Sequence, residues 1–140
     1  MSSDKRPEYF FDRSLGRETA RLLRDAGHVV HLVADHYGND AEDVADEEWI
    51  AEGCRRGWVL LTKDQRIRYR AAELAALNGR LFCLADGNAT VAVMVASFLA
   101  AMTRIDRAVE RQTVGFWHVY ADGRIRRMWR PARSVGKRSQ

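Results

Sequence analysis

The residues best placed to do chemistry stand where an apolar run stops. In "WVLLTKDQRIRYR" (58–70), Trp58 to Leu61 lead through Thr62 and Lys63 into Asp64, and Arg66, Arg68 and Arg70 follow at every second position. Two other acids hold comparable positions. Asp12 closes the short run "EYFF", and Asp46 and Glu47 begin the stretch "DEEWIAEGCRRG". Carboxylates brought together repel and shift one another's pKa unless a cation joins them. Hard divalent ions with oxygen ligands, Mg²⁺ or Mn²⁺, suit such a donor set. An ion of that kind orients and deprotonates a water and stabilises the charge that builds in a phosphodiester displacement. Asp12, Asp46 and Asp64 are therefore the candidate metal ligands and catalytic residues, with Glu47 auxiliary. Lys63, Arg66, Arg68 and Arg70 are the candidates for gripping the phosphates of a strand. Tyr69 among them reads either as a stacking platform for a base or as a core residue.

Other chemistries find less support. Four histidines form no HExxH pair, and period-2 alternation puts His28 and His31 on opposite faces of a strand, unsuited to one zinc ion. Cys54 and Cys83 lack CxxC spacing and read as thiols in a reducing compartment. The N-terminus carries acids and no apolar core of a secretory signal. The longest apolar run, residues 89–102, is too short for a membrane span, so the expected location is the cytoplasm, with no membrane partner.

The elements that must position these acids follow from hydrophobic periodicity. "EYFF" (8–11), "HVVHLVA" (28–34), "WVLL" (58–61) and "RLFCLA" (80–85) read as strands. Residues 14–27 and 44–57 read as helices, with Ser14 as an N-cap and Gly27 and Gly57 as stops. "DHYGNDAED" and the basic segment after Asp64 read as loops, and "AAELAALNG" as a short helix. A turn at residue 86 leads into a long helix whose first half, apolar almost all round, is expected to be buried. A hairpin at about 114–130 closes the chain, with Asp122-Gly123 supplying the φ > 0 positions of a tight turn. The alternation of strand and helix predicts an α/β protein, a three-layer α/β/α sandwich with a mainly parallel sheet. Residues 1–131 make one domain on this reading, and 132–140 a disordered basic tail.

In an open parallel sheet, ligands bind beyond the carboxyl ends of the strands. Asp12 and Asp64 end strands, and Asp46 begins a crossover helix, which starts from that same edge. Singly, each acid has an ordinary explanation: a turn residue, an N-cap, or a first-turn acid answering the helix dipole. Three acids from separate elements on one edge outweigh those explanations. Charge is bipolar as well. Eight acids and no Lys or Arg lie between Asp35 and Glu52, and seven Lys or Arg and no acid lie between Arg124 and Arg138. The basic hairpin and tail fit RNA binding or docking on an acidic partner peptide.

"YFFDRSLGRETARLLRDAGH" and "DEEWIAEGCRRGWVLLTKD" together resemble PIN domains. "DEEWI" followed by "GWVLLTKDQRIRYR" is similar in particular to the VapC-type PIN-like toxins. The resemblance covers roughly residues 8–87. It implies a PIN-like fold and an Mg²⁺- or Mn²⁺-dependent ribonuclease with RNA as substrate. For many members it also implies a toxin held by a cognate antitoxin, and it leaves room for a homodimer. By position, Asp12 matches the acid after the first strand, Asp46 the helix acid and Asp64 the acid of Thr-x-Asp. The further acid of full-length PIN domains has no evident counterpart. Glu47 is the nearest substitute, ahead of Glu18 and Asp86. The competing expectation is a catalytically degenerate PIN-like module that only binds nucleic acid or a partner. A phospho-acceptor domain would need an acid pair after strand one and a Lys ending its last parallel strand, and a HAD-type phosphatase would need DxD where this chain has "DRS".

Overall fold

The computed structural model describes residues 6–132. The proposed tail, from residue 133 on, lies outside the described residues. Six strands form one sheet in the order β2-β1-β3-β4-β5-β6. They are β1 (Glu8–Phe11), β2 (Val29–Leu32), β3 (Val59–Thr62), β4 (Arg80–Leu84), β5 (Gly115–Val119) and β6 (Ile125–Trp129). The first five run parallel, and β6 pairs antiparallel to β5.

Interior strands of such a sheet are apolar on both faces, and β3 is buried at every position. Alternate residues divide between two cores. Tyr9, Phe11, Leu61, Phe82 and Trp117 pack with helix α1 (Arg17–Asp25) and helix α5 (Val91–Glu110). Phe10, Leu60, Leu81 and Phe116 pack on the other face with α2 (Val33–Tyr37), α3 (Asp46–Arg55) and α4 (Ala71–Ala76). The three-layer sandwich is thus as expected. Gly27 (φ 100°) and Gly57 (φ 74°) stop α1 and α3 in the left-handed region. The next amides, His28 and Trp58, reach back to Leu23 and Gly53 carbonyls at 3.1 and 2.9 Å, the Schellman pattern.

Several local expectations are corrected. Ser14 does not cap α1; it lies in a 3₁₀ turn, and its hydroxyl serves Asp12 instead. Strand β2 ends at Leu32, and the polar loop after it holds α2 and a 3₁₀ turn at Asn39–Ala41. The basic segment after Asp64 is a 3₁₀ helix, Gln65–Tyr69, because Ile67 is drawn into the core. The first half of α5 is not buried all round: Val91, Val93 and Leu99 stay exposed, since only the Met94, Phe98 and Ala101 stripe faces the sheet. In the hairpin only Gly123 has positive φ. Tyr120 N–H bonds to the Arg124 carbonyl and Gly123 N–H to the Tyr120 carbonyl, which makes a three-residue loop with glycine at its left-handed position. No helix among the described residues is long and apolar enough to cross a membrane, and both cysteines are free thiols.

Candidate active site

Strand order reverses direction at β1, whose neighbours are β2 on one side and β3 on the other. The carboxyl ends of β1 and β3 therefore flank the crevice where open sheets place ligands. Asp12 follows β1 there, and its amide donates to the Leu61 carbonyl at 3.0 Å. The residue is 9% exposed. Oδ2 accepts from Thr62 Oγ1 at 2.7 Å and from Ser14 Oγ at 2.9 Å. Burial pushes the Asp12 carboxyl above its ordinary pKa; the Thr62 and Ser14 hydrogen bonds oppose this, and the neighbouring Asp46 charge adds to it.

Asp64 enters from the loop after β3. Its amide donates to Thr62 Oγ1 at 3.0 Å, so one threonine links both strand ends. Asp64 caps the 3₁₀ helix by accepting from Arg66 N–H at 3.0 Å, and the Arg66 guanidinium grips the same carboxylate at 3.0 Å. Burial works to raise its pKa, but the contacts with Arg66 and the charge of Arg70 prevail and lower it. Asp46 is the first residue of α3, and the buried Trp49 donates its indole N–H to Asp46 Oδ1 at 2.9 Å.

Arg70 joins these acids. One guanidinium nitrogen, Nη1, lies 3.2 Å from Asp46 Oδ2, 3.4 Å from Glu73 Oε2 and 3.7 Å from Asp64 Oδ2. Glu73, buried in the first turn of α4, is the acid that sequence reasoning passed over. Glu47 is exposed and joins no group of metal-holding side chains among the described residues. Glu18 pairs with Arg21, and Asp86 caps its own turn through Asn88 N–H.

Among the described residues, no three His, Cys, Asp or Glu side chains stand close enough to hold a metal ion as they are. Yet Asp46, Asp64 and Glu73 turn hard oxygen donors toward a single cationic nitrogen, and Asp12 feels the charge of Asp46. Arg70 Nη1 is a stand-in cation, and the donor chemistry suits Mg²⁺ or Mn²⁺.

The predicted phosphate contacts separate into two kinds. Arg66 and Arg70 answer carboxylates. Lys63 and Arg68 make no ion pair among the described residues. Lys63 lines an open cleft of about 570 Å³ with Ser14, Asp64, Arg66, Asp86 and Asn88. A second cleft, of about 220 Å³, reaches Asp12 from the side of Arg13 and Arg17. Tyr69 is 73% exposed and so is no core residue.

A family model described as "PIN like domain" matches residues 7–86, which carry all of the acids named above. The curated protein "Putative ribonuclease VapC45" of Mycobacterium tuberculosis strain H37Rv is 36% identical over 104 residues, 71% of this chain and 75% of that protein. No solved structure matches the chain.

Proposed function

This chain belongs to the PIN-like domain family, and we propose that it is a metal-dependent endoribonuclease, the toxin of a type II toxin–antitoxin pair. One observation carries the reading: Asp46 and Asp64 converge on one cationic nitrogen beside the buried Asp12, at the carboxyl edge where β1 and β3 part. The relative's name, a ribonuclease, supports it.

On this reading Asp12, Asp46 and Asp64 hold Mg²⁺ or Mn²⁺, and Glu73 serves as the fourth carboxylate in place of Glu47. An ion held there would supply an activated water and offset the negative charge that builds on the phosphodiester. The chain's own residues do the positioning. Thr62 and Ser14 fix the Asp12 carboxylate, and Trp49 fixes Asp46. Lys63, in the cleft beside Asp64, meets the phosphate backbone, and Arg68 meets it farther along. A cognate antitoxin in the cytoplasm is the protein partner that this reading implies.

A second reading has one observation in its favour. Arg70 already neutralises the cluster, as it would in a module that binds without cleaving. Cleavage of labelled RNAs by the purified protein with Mn²⁺, Mg²⁺ or EDTA separates the two. Cleavage that requires metal and is lost in folded Asp12→Asn and Asp64→Asn proteins establishes the nuclease. RNA binding without cleavage, unchanged in both variants, establishes the binding module.

A further inference from the structure

We propose that Arg68, on the 3₁₀ helix after β3, and Arg126, on β6, form a phosphate-binding subsite for single-stranded RNA, set along the sheet edge from the carboxylates. The proposal rests on the nuclease reading and extends it to a hairpin outside the residues that match the family.

Sheet register places the subsite. Phe11 pairs with Leu61, so Asp12 stands beside Thr62. Thr62 pairs with Cys83, Cys83 with His118, and His118 with Arg126. Paired residues share a face, so one row runs from the buried carboxylate to the basic hairpin on the face that carries the 3₁₀ helix. Three strand spacings separate Thr62 from Arg126, roughly 14 Å. A strand of RNA lying along this edge would span the distance.

The charges along the row lack counter-ions. Neither Arg68 nor Arg126 has an acid partner among the described residues. His118, paired across the strands with Arg126, is half-buried, and its Nε2 has no hydrogen-bond partner among the described residues. Burial, then Arg68 and Arg126, hold its pKa below the ordinary value. Two guanidinium charges felt at one imidazole raise the positive potential there, and a bound phosphate offsets it. Arg68 also lies over the exposed Tyr69 ring, 4.5 Å from its centroid, and Arg124 lies over Tyr120 at 5.0 Å. Arg124 is held by Asp122 at 2.8 Å, whereas Arg68, which has no acid partner among the described residues, beside the exposed Tyr69 face suits a phosphate next to a stacked base. An acidic peptide would satisfy the charges but gives no use to the open Tyr69 ring, and the row leads directly to the carboxylates. RNA is the better occupant.

The test is fluorescence anisotropy in EDTA, with a long single-stranded RNA, a dinucleotide and polyglutamate, each labelled, on the full chain and on Arg126→Gln and Arg126→Glu proteins. Arg126 is exposed, and far-UV circular dichroism checks that both variants fold. The expected result is a several-fold weaker affinity for the long RNA in Arg126→Gln and a larger loss in Arg126→Glu. The loss on the dinucleotide should be smaller, and the slope of log K against log salt shallower by about 0.7 in Arg126→Gln. Wild-type affinity and slope in both variants overturn the subsite. So does a loss of polyglutamate binding with RNA binding unchanged, which would mark a protein-docking face. The assay needs neither metal nor cleavage. RNA binding that depends on Arg126 in a protein that never cleaves would therefore overturn the nuclease reading alone.

Discussion

Thr62 Oγ1 donates to Asp12 Oδ2 at 2.7 Å while accepting from the Asp64 amide at 3.0 Å, so a single hydroxyl sets the spacing of two candidate ligands on different strands. It also explains physically why a threonine stands two residues before the acid. Thr62→Val keeps the shape and removes the hydrogen bonds. Orienting partners of metal ligands are typically worth about 10–100-fold in affinity or activity. Thr62→Val should lose that much Mn²⁺ affinity by titration calorimetry, at a stability cost of about 1–3 kcal/mol. Thr62→Ser should retain both. Unchanged Mn²⁺ affinity in Thr62→Val would reduce the hydroxyl to a packing role.

Arg70 occupies the place where the acids need a cation. Removing it in Arg70→Gln leaves the buried Glu73 without its partner and lets Asp46 and Asp64 repel. The metal-free protein should lose about 1–3 kcal/mol. Metal, no longer competing with a tethered guanidinium, should bind more tightly than in the wild type. Thermal melts in EDTA and across a Mn²⁺ series read both effects: a lower Tm without metal and a larger rise with it. A metal-induced rise no larger than in the wild type would show that Arg70 and the ion do not share the site.

The sequence made Asp12, Asp46 and Asp64 legible as candidates because each sits at a boundary with a strong local signal. Asp12 and Asp64 stand where apolar runs stop, and Asp46 where a helical period starts. The parallel sheet followed from the same alternation. Glu73 was not legible. Three residues after Arg70, in the first turn of a short helix, it reads as an acid answering the helix dipole. Only the fold brings Arg70 across to Asp46, 24 residues away in the chain. The α2 helix and the 3₁₀ segments are too short to show a period. In α5 the apolar outer face made composition a poor guide to burial, since Val93 and Leu99 face outward.

Gly53 lets α3 approach the sheet, and that approach sets the height of Asp46 above the edge. A Cβ there would overlap the Leu60 side chain and lie 2.9 Å from Phe10 Cδ2. Both residues are fully buried and have little room to give. Gly53→Ala should therefore destabilise by about 1–3 kcal/mol through overpacking, despite the gain in helix propensity. Urea unfolding measures it. A variant as stable as the wild type would mean that α3 lifts off the sheet freely, and the placement of Asp46 would then be soft.

Glu52, on α3 away from the carboxylate edge, collects two guanidiniums and an imidazole. Arg56 Nε lies at 2.6 Å, Arg55 Nη2 at 2.7 Å and His36 Nε2 at 3.1 Å. The hydrogen bonds from Arg56 and Arg55, with His36 adding to them, lower its pKa to about 2 from an ordinary 4.5. Between those values the unfolded chain binds a proton that the folded chain does not, so stability from this group rises with pH through the window. It is fully present above the unfolded value and lost as pH falls toward about 2. Glu52→Gln removes the charge at every pH. The Tm difference between wild type and Glu52→Gln should therefore be largest near neutral pH and shrink steadily through the acid range. A difference that stays constant with pH would show that Glu52 contributes through packing and neutral hydrogen bonds rather than through its charge.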